Sequence, residues 1–441
     1  MTGGGETADR VRARLDRGEF LGHLLRVASS DSEDVQAHFV REVSKLTRRL
    51  RRILEVRGLI HSLEYRPNAY WPAQRGRGYG FIDGGVANLE LPTAAPVGIR
   101  VGSYVVRPGD ETERREAFNI EIAIVDDLFA RDPKLYATEE SDDPFEDAMK
   151  LRDAARIASE TAAALKLARR RDGRPDAILL HGPLINPAAP YGLASFPPFQ
   201  QDAARELLSD SAWEGTAAER GFVRLQRELL LRLEAECIPV VGVVERASTG
   251  TRPFLDAILK QLVGDDARPG SLASKHAEKV WGTAKAFTLG DTAIFDLVLR
   301  PGEYVGPFVV DRQGEPRKWP KHGELNHWIG RYPKALTTFV KPTEEAQPFR
   351  VEAFENCTDF PGMVDLVLHT SRLLPSYVFP VGLDIVDRFS KVPSWLSSGV
   401  RTRHQLVLLR KALESGDPHI ISYAKKVMAS KGRDWLFRPT I

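Results

Sequence analysis

Cysteine is nearly absent: Cys237 and Cys357 are the two in 441 residues, in unrelated contexts and without metal-type spacing. That excludes a disulfide framework and zinc held by thiolates, and it suits a reducing cytoplasm. Long apolar runs are missing as well. No stretch approaches the roughly 20 residues that span a bilayer, and Met1-Thr2-Gly3-Gly4-Gly5-Glu6 has neither the charged start nor the apolar centre of a signal peptide. The expectation is a soluble, cytoplasmic protein with no membrane partner. Nor does either charge dominate. The 62 basic and 60 acidic residues leave a net charge of +2, so any nucleic-acid contact must come from local patches. No internal repeat or low-complexity linker breaks the chain, and its length allows one elaborated domain or two smaller ones.

What is present is organised around Gly78-Tyr79-Gly80-Phe81-Ile82-Asp83-Gly84-Gly85. The apolar alternation predicts a strand ending in the carboxylate of Asp83. Gly84 and Gly85 remove side-chain bulk just after it, as needed where a large charged ligand and its metal ions approach the backbone. The alternative is a plain hairpin turn, for which Asp-Gly is the commonest dipeptide.

Upstream, Glu6 to Val27 and Glu33 to Val56 carry apolar residues at helical spacing and predict a helical hairpin. The second helix bears Arg41, Lys45, Arg48, Arg49, Arg51, Arg52 and Arg57, a face for phosphates or an acidic partner, or simply a solvated one. Downstream, Val97 to Arg107 and Ala117 to Val125 extend the first strand into an antiparallel meander, with Pro108-Gly109-Asp110 as a turn. An alanine-rich helix then runs from Phe145 to about Arg171, with Pro144 as initiator and Glu160 in its interior. Pairing with Arg156, one turn back, is the alternative use of that glutamate. The apolar run Ala177 to Leu180 predicts a buried strand tipped by His181-Gly182-Pro183-Leu184, repeating the design at Asp83. The alternative there is a turn histidine satisfied by a backbone group.

The helix Ala217 to Glu236 and the strand Ile238 to Val244 continue an α/β alternation. Short helices follow at Pro253 to Leu262 and Asp291 to Leu299, and strands at Ala335 to Val340 and Phe349 to Phe354. Two basic stretches suit DNA. Arg246 and Arg252 flank a turn, and Lys318, Trp319, Lys321, His322, His327, Trp328 and Arg331 interleave cations with aromatics on which bases stack. A polar hairpin surface is the alternative for the second. A late helix carries Asp384 and Asp387 on one face, and basic helices at Arg401 to Ser415 and Ile421 to Lys431 close the sequence.

The order of carboxylate on a first strand, meander, glutamate on the next helix, ligand-type residue on the next strand and carboxylate on a late helix is the ribonuclease H-like plan. It predicts an α/β fold, a mixed sheet flanked by helices, with the N-terminal helical hairpin and the C-terminal helices outside it. From about Tyr70 onward the chain also resembles the NurA nucleases, DNA end-processing partners of the HerA hexameric ATPase. The resemblance rests on Phe81 to Gly85, Leu179 to Leu184, Val240 to Val244, Asp291 to Glu303, Phe349 to Glu352 and Phe379 to Leu383. It implies an N-terminal segment (1–62) for dimer or partner contacts, a nuclease domain (63–398) and a helical extension (399–441).

The implied chemistry is hydrolysis of a DNA phosphodiester with two Mn²⁺ or Mg²⁺ ions. Asp83 would bridge the ions, Glu160 and Asp387 would complete their shells, and His181 would act as ligand or proton shuttle. Where the family has aspartate before Gly-Pro-Leu this chain has His181, and where the family has histidine on the final helix it has Asp387, with Asp384 as the alternative. The family's lysine after the Val240 strand is Glu245 here, next to Arg246. A reciprocal exchange of donors preserves a ligand set. The resemblance further implies a homodimer, a HerA-like ATPase partner, and a role in DNA end processing or anti-phage defence. Competing readings are a catalytically silent DNA-binding or ATPase-regulating subunit of the same fold, and an RNA-cutting relative.

Overall fold

A computed structural model describes residues 32–88, 96–127, 144–185, 222–245, 252–265, 272–310, 331–374 and 378–429. The chain forms two compact units, one of residues 1–60 with 248–299 and one of residues 61–247 with 300–441.

In the first unit, α1 (Ser32–Val56) buries Val43, Leu46, Leu50 and Leu54, one helical stripe. This stripe packs on α6 (Leu272–Ala286) and α7 (Asp291–Val298), with α5 (Pro253–Asp265) beside them. Arg51 caps the end of α7 by donating to the Val298 carbonyl at 2.6 Å. Asp291 accepts from the amides of Phe254 and Leu255 at 2.8 and 3.0 Å, closing the orphan donors at the start of α5. The expected helix at 33–56 is therefore present. Its apolar side is used within its own unit, while Arg48, Arg52 and Arg57 are exposed. The expected helix at 6–27 lies outside the described residues.

The second unit is built on a nine-stranded sheet of order β1-β7-β8-β9-β6-β5-β2-β3-β4. The strands are β1 (Ile60–Ser62), β2 (Tyr79–Asn88), β3 (Pro96–Val106), β4 (Glu116–Asp127), β5 (Ala177–His181), β6 (Val240–Val244), β7 (Glu303–Val309), β8 (Ala335–Val340) and β9 (Phe349–Phe354). β2, β3 and β4 form the expected antiparallel meander. β5 pairs parallel to both β2 and β6, and β9, β8 and β7 continue antiparallel. Taken in chain order from β2, the strands β4-β3-β2-β5-β6 read 3-2-1-4-5 with only the second reversed. This is a ribonuclease H-like mixed sheet.

Helices cover both faces. One face packs α3 (Pro144–Ala168) and α4 (Phe222–Ala235) over Ile82, Ile178 and Leu180. The other packs α8 (Phe360–Ser371) and α9 (Val381–Ser390) over Tyr79, Phe81, Leu179 and Val241. Burial on both sides explains why β5 and β6 read as unbroken apolar runs. Each such aliphatic side chain contributes about 1.5–3 kcal/mol. Along α3, Ala154, Ala155, Ala158, Ala162 and Ala163 are buried, and their small side chains let the helix lie close to the sheet. A short helix, α2 (Pro67–Ala73), is held by Tyr70, whose ring stacks on the buried His369 of α8 at 3.8 Å. α10 (Ser394–Ser415) and α11 (Pro418–Ala429) form a helical pair, with Trp395 72% exposed.

The structure departs from the sequence expectation at the first strand. β2 does not end at Asp83 but pairs with β3 as far as Asn88, opposite Val97. Only its pairing with β5 stops there, at Ile82 opposite Leu180. Gly84 and Gly85 lie inside the strand and admit the protein's own elements. A Cβ on Gly84 would stand 2.7 Å from Glu160 Oε1, and one on Gly85 would stand 2.5 Å from the Ser390 carbonyl oxygen.

Candidate metal centre

The residues that matter sit where the parallel strands part. Asp83 and His181 are each one step beyond the last β2–β5 pair. Strand alternation turns both toward the face of Phe81 and Leu179, which α9 covers. Asp83 is 4% exposed. Its Oδ1 accepts from the Gly84 amide at 2.8 Å, and its Oδ2 lies 3.0 Å from His181 Nδ1. The imidazole is partly exposed and packs on Phe379, ring centres 5.1 Å apart.

α9 brings the third residue. Its close approach depends on Gly382, where a Cβ would sit 2.5 Å from the Phe81 ring. One ligand atom from each of Asp83, His181 and Asp387 lies within 4.8 Å of the others. Asp387 also pairs with Lys391, one turn on and largely exposed. Asp384 instead pairs with Arg388 at 3.1 Å and is not of this group.

Glu160 approaches from α3 against Gly84. It is 8% exposed and accepts from Arg156 Nη1 at 2.6 Å, the pairing that the helical spacing allowed. It too stands outside the three-residue group. Burial pushes its carboxyl up to about 7 against the pull of Arg156, and the negative charge of Asp83 adds to the rise. For His181, burial favours the neutral ring, but the Asp83 hydrogen bond and the charges of Asp83, Glu160 and Asp387 outweigh it and raise the pKa above the ordinary value. Arg156, Glu160, Thr161, His181, Gly182 and Pro183 line a cleft of about 50 Å³ beside the group.

Two carboxylates and one imidazole at this spacing form a donor set that suits a divalent transition metal better than an all-oxygen ion. The residues fit such an ion on chemistry as well as on distance. Arg156 was legible from the sequence only as a partner for Glu160. Its burial beside the group depends on how α3 packs.

The predicted DNA-contact residues fare differently. Arg246, Lys318, Trp319, Lys321 and His327 lie outside the described residues. Arg331 is exposed. Arg252 is turned into its own unit: it donates to the Leu289 carbonyl at 2.9 Å and lies 5.6 Å over the Trp281 ring.

No protein-family model and no curated protein matches the sequence. Among solved structures, the chain is similar to the NurA nuclease from Sulfolobus solfataricus, with 11% identity and a TM-score of 0.45 over 91% of this chain and 98% of that one. It is also similar to a NurA solved with manganese (10% identity, TM-score 0.39, covering 82% and 95%). A third is the catalytic domain of human endonuclease V (12%, 0.31, covering 81% and 95%). Likenesses of this degree leave the chemistry to be read from the residues themselves.

Proposed function

We propose that this chain is a divalent-metal-dependent DNA nuclease. The observation that carries the reading is the convergence of Asp83, His181 and Asp387, from two strands and a late helix, within 4.8 Å at the end of the parallel strand pair. A buried carboxylate, Asp83, beside a partly buried one, Asp387, is costly without a cation, and His181 of the same group lines a cleft.

When bound, Mn²⁺ or Mg²⁺ supplies Lewis acidity to the phosphodiester and to the attacking water. Asp83, His181 and Asp387 would hold the ion. Asp83, fixed by the Gly84 amide, presents a carboxylate whose position is set by the backbone. His181, partly exposed on the cleft, is placed to hold or pass a proton at a ring nitrogen. Glu160 is held by Arg156 on the other side of β2.

The finer reading follows the sequence resemblance: a cytoplasmic homodimer working with a HerA-like hexameric ATPase on DNA ends, in repair or in defence against phage. The N-terminal segment and the pair α10–α11, which leaves Trp395, Leu406 and Leu413 exposed, are the surfaces proposed for those contacts. Arg246, Lys318, Trp319, Lys321, His327 and Arg331 are proposed to meet DNA.

One observation favours a second reading, a silent DNA-binding or ATPase-regulating subunit. Asp387 and Glu160 already carry protein cations, Lys391 and Arg156. Incubating the purified chain with single-stranded and duplex DNA and with RNA, in Mn²⁺, Mg²⁺ or EDTA, separates these readings. Metal-dependent DNA cleavage abolished by Asp83→Ala supports the nuclease. No cleavage in any metal, by a folded protein, would point to the silent subunit.

A further inference from the structure

On the reading of a metal-dependent nuclease, we infer that the site takes one divalent cation, in the Asp83, His181 and Asp387 group, and that the Arg156 guanidinium, paired with Glu160, stands in place of a second. Three features of the packing lead there. First, Arg156 and Glu160 both lie directly against the residue after Asp83: a Cβ on Gly84 would meet Glu160 Oε1 at 2.7 Å and Arg156 Cγ at 3.1 Å. The pair therefore sits beside the ligand group without belonging to it.

Second, the pair resists displacement. Arg156 side-chain exposure is 27% and that of Glu160 is 11%, with 2.6 Å between the charged atoms. The other acidic neighbours of Arg156 include Asp153, at 3.8 Å and 58% exposed, and Asp83 of the ligand group, whose charge also favours the guanidinium. Pulling the guanidinium away to admit an ion at Glu160 would break the closest ion pair of a half-buried cation. Lys391 on Asp387 is different. It is 64% exposed, so water can take over its charge when an ion claims the carboxylate. The two protein cations thus mark one carboxylate that is readily released and one that is not.

Third, Arg156 shares its cleft with His181. A guanidinium has five donors in a planar fork, of which Glu160 engages Nη1. The remaining donors suit a phosphate oxygen, which a fixed cation neutralises without dissociating.

The test counts Mn²⁺ ions bound by the full chain without DNA, by titration calorimetry and by the electron paramagnetic resonance of free Mn²⁺. The wild type should bind one ion at the site, Glu160→Gln should still bind one, and Asp83→Asn should bind none. Arg156→Met frees Glu160 and should bind two, and adding Glu160→Gln to it should return the count to one. Circular dichroism and thermal unfolding show whether Arg156→Met is folded. If it is not, wild type and Glu160→Gln decide by themselves. Two ions in the wild type, one of them lost in Glu160→Gln, would overturn the inference and leave the nuclease reading intact. A folded Arg156→Met that still binds one ion would also overturn it. No ion bound by the wild type would overturn the metal reading itself, and this inference with it.

Discussion

His181 Nδ1 lies 3.0 Å from Asp83 Oδ2, across neighbouring parallel strands and 98 residues away in the chain. This contact joins a residue that holds a proton to the most deeply buried carboxylate of the site, so proton and metal ion compete for the same place.

The competition fixes a sign for pH. Burial opposes the charged imidazole, but Asp83, Glu160 and Asp387 together raise the His181 pKa. An incoming ion must displace that proton. Mn²⁺ affinity should therefore rise with pH, by up to about tenfold per unit below the imidazole pKa, and each ion bound should release a proton. Calorimetry in buffers of different ionisation enthalpy measures the release. For the metal-free fold the sign reverses. A raised histidine pKa contributes stability that is fully present below the unfolded value of about 6.5 and lost as pH rises through the folded value. His181→Ala should cost more stability near pH 6 than near pH 9, as urea unfolding would show. Affinity independent of pH would remove His181 from the ligand set.

Metal choice tests the exchange of donors. With imidazole in the set, Mn²⁺ should be preferred over Mg²⁺, which prefers oxygen. His181→Asp should relax that preference, and combining it with Asp387→His should recover more activity than either single change, because ligands in one site are coupled. Nuclease rates for the four variants in each metal give the answer. Additive losses with unchanged preference would mean that the two positions act independently.

Glycines set how closely α9 approaches the sheet. Gly85→Ala would place a Cβ 2.5 Å from the Ser390 carbonyl oxygen, a backbone atom that cannot rotate away. It should destabilise the protein by about 1–3 kcal/mol and, by shifting Asp387, lower activity as well. Gly399→Ala, in α10 with open space around it, should instead stabilise by about 0.4–1 kcal/mol. Urea midpoints for the pair provide an internal control.

The loop after His181 has a buried anchor. Glu352 on β9 pairs with Arg350 at 2.9 Å and accepts from the Ile185 amide at 3.3 Å. Gly242 leaves room for the same loop, since a Cβ there would stand 2.3 Å from the Leu184 nitrogen. Glu352→Ala should cost about 3–5 kcal/mol, because it removes one partner of a largely buried ion pair. A loss below about 1 kcal/mol in denaturant unfolding would show that the pair is not a support of the site.

The parts legible in sequence were those written in local pattern. The apolar runs at Ala177 to Leu180 and Val240 to Val244 required strands buried on both faces. The alanine-rich stretch required a helix, and its i, i+4 spacing allowed Arg156 to meet Glu160. Where the pattern was broken, reading stopped. β7 contains Gly306-Pro307, residues that otherwise mark a turn, and β2 runs on through a Gly-Gly pair that resembles a strand end.

The sequence by itself therefore determined the element types from β2 to β6 and at β8 and β9, the order that makes the sheet ribonuclease H-like, and Asp83 and His181 as ligand-type residues on two of its strands. Only the tertiary structure decided that Asp387 and not Asp384 joins them, because that depends on the rotation of α9 over Phe81. It alone decided that Gly84 and Gly85 make room for the protein's own helices. The same holds for Glu160, whose side chain is buried against the half-buried Arg156 by the packing of α3 against β2. Local spacing specifies which side chains share a face, but the burial that sets their charge and their partners comes from elements distant in the chain.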